Sequence, residues 1–225
     1  MRGNILLRML IMLGLYGGLS FYGGELGWKI LYPVRLFVTF LHEFGHAIGA
    51  VITGGSVLDV QINADGSGFT KSMGGNRAVT IMGGYLGSAL FGNILFYIGA
   101  KGRRMIKPML GIVILSMIVT GFVWFNSVYT TCVLIGFSLV FAFIMMKTNF
   151  GAELLMFLGL ASVLYIIQDF NVGPTSDLKA YEEVMVVLPA QAWMYIWLGI
   201  AILLLLINLK MLFKSRPANT EYADY

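Results

Sequence analysis

The chain has 225 residues, 58% of them hydrophobic and 12% charged, about half the roughly 25% charge content common in soluble proteins. Its 15 Lys and Arg against 11 Asp and Glu leave a net charge of +4, too little and too scattered for a nucleic-acid footprint. A single cysteine, Cys132, excludes an internal disulfide framework and any multi-thiolate metal site. What remains is an all-α polytopic membrane protein, one integral membrane domain over residues 1–225, with the cell (plasma) membrane as its expected location.

A bilayer-crossing helix needs about 20 largely apolar residues. In chain order such segments fall at 5–22, 30–53, 78–100, 106–125, 128–146, 154–168 and 192–213, six to seven crossings with the sixth short. Arg2 and Arg8 precede the first segment as they would a signal peptide, but no A-x-A-like site follows, so an uncleaved first crossing is expected. Between the second and third segments Val57, Asp59 and Gln61 alternate with Leu58, Val60 and Ile62, and a turn at Ala64-Asp65-Gly66-Ser67-Gly68 leads into Phe69-Thr70-Lys71. That pattern predicts a β-hairpin over 54–75. A late loop, 169–191, holds Pro174, Asp177, Glu182 and Glu183, and a short amphipathic helix is expected from Ser176 as N-cap.

Seven crossings put Lys29, Lys101, Arg103, Arg104, Lys107, Lys147, Lys210, Lys214 and Arg216 on one face, and Arg2, Arg8, Lys71, Arg77 and Lys179 on the other. The positive-inside rule then leans toward an outside N-terminus, with the hairpin on the same side.

The second segment contains His42-Glu43-Phe44-Gly45-His46. On a helix the two histidines stand at i and i+4, on one face, where both imidazoles can hold one zinc ion, and the Glu beside the first can take a proton from water and return it to a leaving amine. The chain has only two histidines. Random placement would set them four apart with a following Glu on the order of a few times in ten thousand. His, Glu and His inside an apolar segment are costly without partners. Pairing of Glu43 with Arg35 would explain the cost but not the spacing; metal binding explains both.

A catalytic zinc site needs a third protein ligand. Without another His, a carboxylate is expected from the loops on the same face: Asp59 or Asp65 of the hairpin, or Asp169 or Asp177 of the late loop. The hairpin aspartates fit strand and turn roles more simply. Asp177 follows the Pro174 loop and starts a helix, so it is preferred; Asp169 ends a segment and competes as the third ligand. Gly83, Gly84, Gly87, Ser88 and Gly92 have the small-xxx-small spacing that lets helices approach closely. Asn93, in the same segment, is a weak substrate-binding candidate, interhelical bonding being the ordinary use of such a residue. Trp193, Tyr195 and Trp197 suggest an interfacial aromatic belt.

His42-Glu43-Phe44-Gly45-His46-Ala47, the Gly54-Gly55 turn, the hairpin with Asp65-Gly66-Ser67-Gly68, and Gly83-Gly84-Tyr85-Leu86-Gly87 together resemble the M50 intramembrane metalloproteases, most of all their compact M50B-like branch, related to site-2 proteases. The resemblance implies a metalloendopeptidase with one Zn²⁺ per chain, His42 and His46 as ligands and Glu43 as the catalytic glutamate. Site-2 proteases take their third ligand from Asn-x-x-Pro…Leu-Asp-Gly; here Asn171-Val172-Gly173-Pro174 keeps the first part, while Asp177 comes two positions early and no Leu-Asp-Gly follows. The resemblance also implies a cytosolic hairpin and metal, opposite to the charge count.

The expected function is zinc-dependent hydrolysis of a peptide bond in or near a substrate's transmembrane segment. Membrane lipid, a membrane-embedded protein substrate and a regulatory membrane partner are the expected partners. The alternatives are a catalytically silent scaffold or regulator of the same fold and, less favoured for want of a paired inverted repeat, a transporter.

Overall fold

The computed structural model describes residues 2–171 and 173–214; Val172 and Arg216, named above, lie outside them. Among the described residues the order is α1 (Arg2–Tyr22), α2 (Gly24–Ile52), β1 (Ser56–Ile62), β2 (Gly68–Met73), α3 (Arg77–Lys101), α4 (Ile106–Val123), α5 (Val128–Lys147), α6 (Gly151–Phe170), α7 (Ser176–Met185) and α8 (Ala190–Phe213). Helix ends carry unpaired backbone groups that an apolar environment cannot solvate. Asn76 therefore accepts from the Val79 N–H at 3.2 Å to cap α3, and Ser127 does the same for Thr130 at 3.2 Å to cap α5. The late-loop helix begins at Ser176 as expected, but its N-cap is Thr175. The chain is an integral, multi-pass, largely helical membrane protein with one two-stranded antiparallel sheet.

Long-range contacts give the helix directions. Arg8 bonds Glu153 at 2.7 Å and Tyr16 bonds Gln168 at 3.0 Å, so α1 runs parallel to α6. Gly99 lies against Ala152 and Met156, Gly92 against Gly159, and Tyr85 donates to Asp169, so α3 runs antiparallel to both. Hence α1 ends, and α3 begins, on the same face of the bundle. The helix between them, α2, must enter and leave on that face. It dips inward far enough for Phe37, Phe40 and Leu41 to join a core with Leu95, Met117, Leu134 and Leu158, then returns toward the hairpin.

The count of crossings falls at the lower end of the six to seven expected. Among the described residues six helices are long and apolar enough to cross a bilayer: Ile5–Tyr22 within α1, then α3, α4, α5, α6 and α8. The 29-residue α2, which contains most of the 30–53 segment of the sequence expectation, is not among them. We call the face bearing the hairpin, α7 and both ends of α2 the site face. The opposite face gathers the α3–α4 and α5–α6 turns and the end of α8, where Lys101 Nζ donates to the Met211 carbonyl at 2.9 Å. Arg2 and Arg8 belong to this opposite face, and Lys29 to the site face, the reverse of the expected assignment.

The hairpin forms where alternation predicted it, with Asp59 opposite Lys71 and Ile62 opposite Gly68. A bulge between Val57 and Asp59 breaks the register, leaving Leu58 48% exposed while Val60 and Ile62 are buried. The outer edge of β1 is engaged, the Val60 N–H donating to the Trp124 carbonyl at 3.1 Å. Trp197 departs from the expected belt: it is 1% exposed, packed on Tyr85 and Tyr181.

The glycine stripe of α3 serves two neighbours. Gly83 meets the backbone of Gly45 on α2 so closely that a Cβ on either would overlap the other's carbonyl, whereas Gly92 meets Gly159 of α6. Gly45→Leu is therefore expected to abolish recovery of monodisperse detergent-solubilised protein. Gly14→Leu, at a position with nothing within 4 Å, is expected to leave the size-exclusion profile unchanged.

Candidate active site

The site is built outward from α2. One helical turn separates His42 from His46, and their rings stand edge to face with centroids 4.7 Å apart. Glu43, one residue past His42, points toward the hairpin instead. It is 4% exposed, and its Oε2 accepts from the Thr70 hydroxyl at 2.8 Å. The same hydroxyl lies 2.9 Å from the Glu43 carbonyl, so β2 fixes both the backbone and the carboxylate at this point. Gly68 lets the strand come this close, since a Cβ there would lie 2.8 Å from Glu43 Cγ.

The first turn of α7 brings Asp177 to the two imidazoles. Its Oδ2 lies 3.0 Å from His42 Nε2 and 3.1 Å from His46 Nε2, and the two nitrogens are 3.0 Å apart. His46 Nδ1 donates to the Thr80 carbonyl at 2.7 Å, so in the neutral ring the Nε2 lone pair faces His42 and Asp177. Burial pushes the Asp177 carboxyl up, but hydrogen bonding and charge from the two imidazoles outweigh it and hold the group well below the usual carboxylate range. An ionised carboxylate oxygen and two imidazole nitrogens converging on one point are a donor set for a divalent cation. Ligands bonded at about 2.1 Å to a tetrahedral ion stand roughly 3.4 Å apart, within a few tenths of an ångström of the separations here. Among the described residues this is the one group of three such side chains whose ligand atoms cluster.

Other candidates fall elsewhere. Asp169 is in the last turn of α6, within the late loop of the sequence expectation, and accepts from the Tyr85 hydroxyl; the Tyr85 ring stands edge-on to His42, centroids 4.5 Å apart. Asp65 accepts from the Ser67 N–H at 2.9 Å and its hydroxyl at 2.7 Å, a turn role. Asp59 stays in β1. Arg35 stacks over Trp28 at 5.5 Å and forms no ion pair with Glu43. Asn93 donates to the Ala89 carbonyl at 2.9 Å, and its backbone and side-chain oxygens accept from Asn208 at 2.7 and 3.1 Å, tying α3 to α8 away from the cleft.

Sequence reasoning did not single out Thr70, Thr80 or Tyr85. Alternation along β2 places Thr70 on its inward face. The Thr80 contact is a backbone carbonyl and leaves no residue-type signal. Gly84 stood out only as part of a packing stripe, yet a Cβ there would lie 2.5 Å from ring atoms of His46 and 2.7 Å from His42.

His42, Glu43, His46 and Asp177 all border one cleft of about 810 Å³, with Gly68–Ser72 of the hairpin along one wall and Thr80 and Tyr85 on the other. A multi-pass helical membrane protein with a His–His–carboxylate cluster beside a buried glutamate is the class of membrane metallopeptidases. The Peptidase M50B-like family model matches residues 11–208, and the chain belongs to that family. No curated protein and no solved structure matches the chain.

Gly84→Ala is expected to weaken cation binding at least tenfold by displacing both imidazoles, measured by chelator competition on the purified protein. Gly87→Ala, whose Cβ would meet nothing nearer than 3.4 Å, is expected to bind as the wild type does.

Proposed function

We propose that the chain is a zinc-dependent intramembrane endopeptidase. The observation that carries this reading is the convergence of His42 Nε2, His46 Nε2 and Asp177 Oδ2 within 3.1 Å of one another, in the cleft that Glu43 also lines. Zinc, when held by these three, supplies Lewis-acid polarisation of the scissile carbonyl. Glu43 takes a proton from the attacking water and returns it to the leaving amine; Thr70 holds the carboxylate in position for this. Tyr85 and Asp169 act through His42, the ring edge restricting the imidazole's tilt.

A helical substrate keeps its peptide bonds paired and must unwind before hydrolysis. β2 pairs with β1 on one side and has no backbone partner on the other among the described residues, so it offers an edge to an unwound segment. Cleavage that persists after deletion of residues 57–71 would remove this step. The substrate is a membrane-embedded protein, and the proposed location is the plasma membrane.

Glu43→Gln is expected to lower cleavage by about 10²–10⁴ while leaving the metal bound. Unchanged cleavage of every candidate substrate would instead favour the silent scaffold. Metal stoichiometry separates the two late carboxylates: Asp177→Ala is expected to lose the ion and Asp169→Asn to keep it.

A further inference from the structure

A second cavity, of about 610 Å³, lies between the last turns of α1, the first half of α2 and the end of α6. Gly27 meets the Leu19 backbone with no room for a Cβ, so α1 and α2 close one side of it. Tyr165 and Asp169 border both this cavity and the catalytic cleft, so the two are neighbours. The peptidase chemistry makes no use of it. The one basic residue lining it is Arg35, whose guanidinium stacks over Trp28 at 5.5 Å. Trp28 precedes Arg35 by two turns on the same stripe of α2, so the charge is turned back toward the start of the helix and the site face. Arg35 forms no ion pair among the described residues. Glu25 is taken by Lys29 at 2.7 Å, and Asp169, the one acid lining the cavity, accepts from Tyr85. Gln168 adds a neutral donor: its Oε1 accepts from the Tyr16 hydroxyl at 3.0 Å, while its amide N–H groups have no protein partner among the described residues. An ionised group without a counter-charge in the body of a membrane protein calls for a partner from outside the chain.

We propose that this cavity holds the phosphate headgroup of an anionic phospholipid, with Arg35 as its charged partner and Gln168 as a neutral one. Guanidinium N–H groups match phosphate oxygens in pairs, and the phosphodiester supplies the negative charge that no described carboxylate brings to Arg35. The position fits a lipid. Helix α1 reaches the site face at Tyr22 and α6 at Phe170, so the cavity lies at helix ends, the level of the headgroups. Three of its lining residues, Phe21, Trp28 and Ile167, are apolar and exposed, and Leu26 and Ile30 are exposed one turn apart on α2. An acyl chain gains by covering such a surface, whereas a free phosphate gains nothing from it. The volume is within the range of small-molecule sites and admits a headgroup.

Photo-crosslinking on the purified full chain tests it. Phosphatidylglycerol and phosphatidylcholine probes carrying the same diazirine-bearing acyl chain are irradiated with the protein in mixed micelles, and crosslinks are mapped by peptide mass spectrometry. Labelling of residues 21–31 is expected to be stronger with phosphatidylglycerol than with phosphatidylcholine. In Arg35→Gln it is expected to fall about tenfold, the size of one lost charge-assisted hydrogen bond. Labelling at the basic α3–α4 turn, on the opposite face, is expected to stay constant and serves as the internal reference for a folded variant. Gln168→Glu is an independent variant that keeps the oxygen bonded by Tyr16 and sets a negative charge in the cavity; it is expected to lower the same labelling. Arg35→Lys retains the charge and is expected to retain the preference for phosphatidylglycerol. Equal labelling of residues 21–31 by the two lipids, or labelling that both Arg35→Gln and Gln168→Glu leave unchanged, overturns the proposal. Suppression of that labelling by inorganic phosphate alone assigns the cavity to a free anion and overturns the lipid. The readout needs neither metal nor turnover, so its failure leaves the peptidase reading standing, and loss of the peptidase reading leaves the lipid site standing.

Discussion

The backbone-to-backbone contact of α2 with α3 at Gly45 and Gly83 controls the geometry of the site. With side chains at that contact the two helices would stand farther apart, by the width of the groups between them. At the observed distance the Thr80 carbonyl reaches His46 Nδ1, Gly84 leaves room for both imidazoles, and Tyr85 lies against the His42 ring. From the hairpin side, Thr70 of β2 reaches Glu43. Each polar group of the motif is thereby met by a partner from another element. An ionised side chain at mid-bilayer costs about 2.5–3.5 kcal/mol, so a motif of this kind persists only where partners are supplied.

Re-entrance of α2 serves the same chemistry. A helix crossing the bilayer would carry His42, Glu43 and His46 along its length with lipid or protein on all sides. One that dips and returns keeps them under the hairpin and α7, beside a cleft continuous with the site face. Asp177 reaches the imidazoles from a ten-residue helix that does not cross, and Leu178 and Tyr181 anchor that helix against α3 and α8.

Much of this architecture was legible in the sequence. Apolar length located the six crossing helices, strand alternation and the Asp65-Gly66 turn located the hairpin, and the i, i+4 histidines located the centre of the site. What was not legible depends on relations between elements. Whether α2 crosses is decided by the directions of α1 and α3, which hydropathy does not encode. The aromatic run of α8 gave the same signal for a lipid-facing belt as for Trp197 buried against Tyr85 and Tyr181. The choice between Asp177 and Asp169 turned on depth: α6 continues through Asp169 to Phe170, handing that carboxylate to Tyr85, and the next helix delivers Asp177 to the histidines.

The account's central claim is that the three convergent side chains hold zinc. Metal analysis of the purified protein, wild type against His46→Ala, tests it most directly. Zinc near one equivalent per chain in the wild type, lost in the variant, is the predicted result; equal metal content in the two proteins would contradict it.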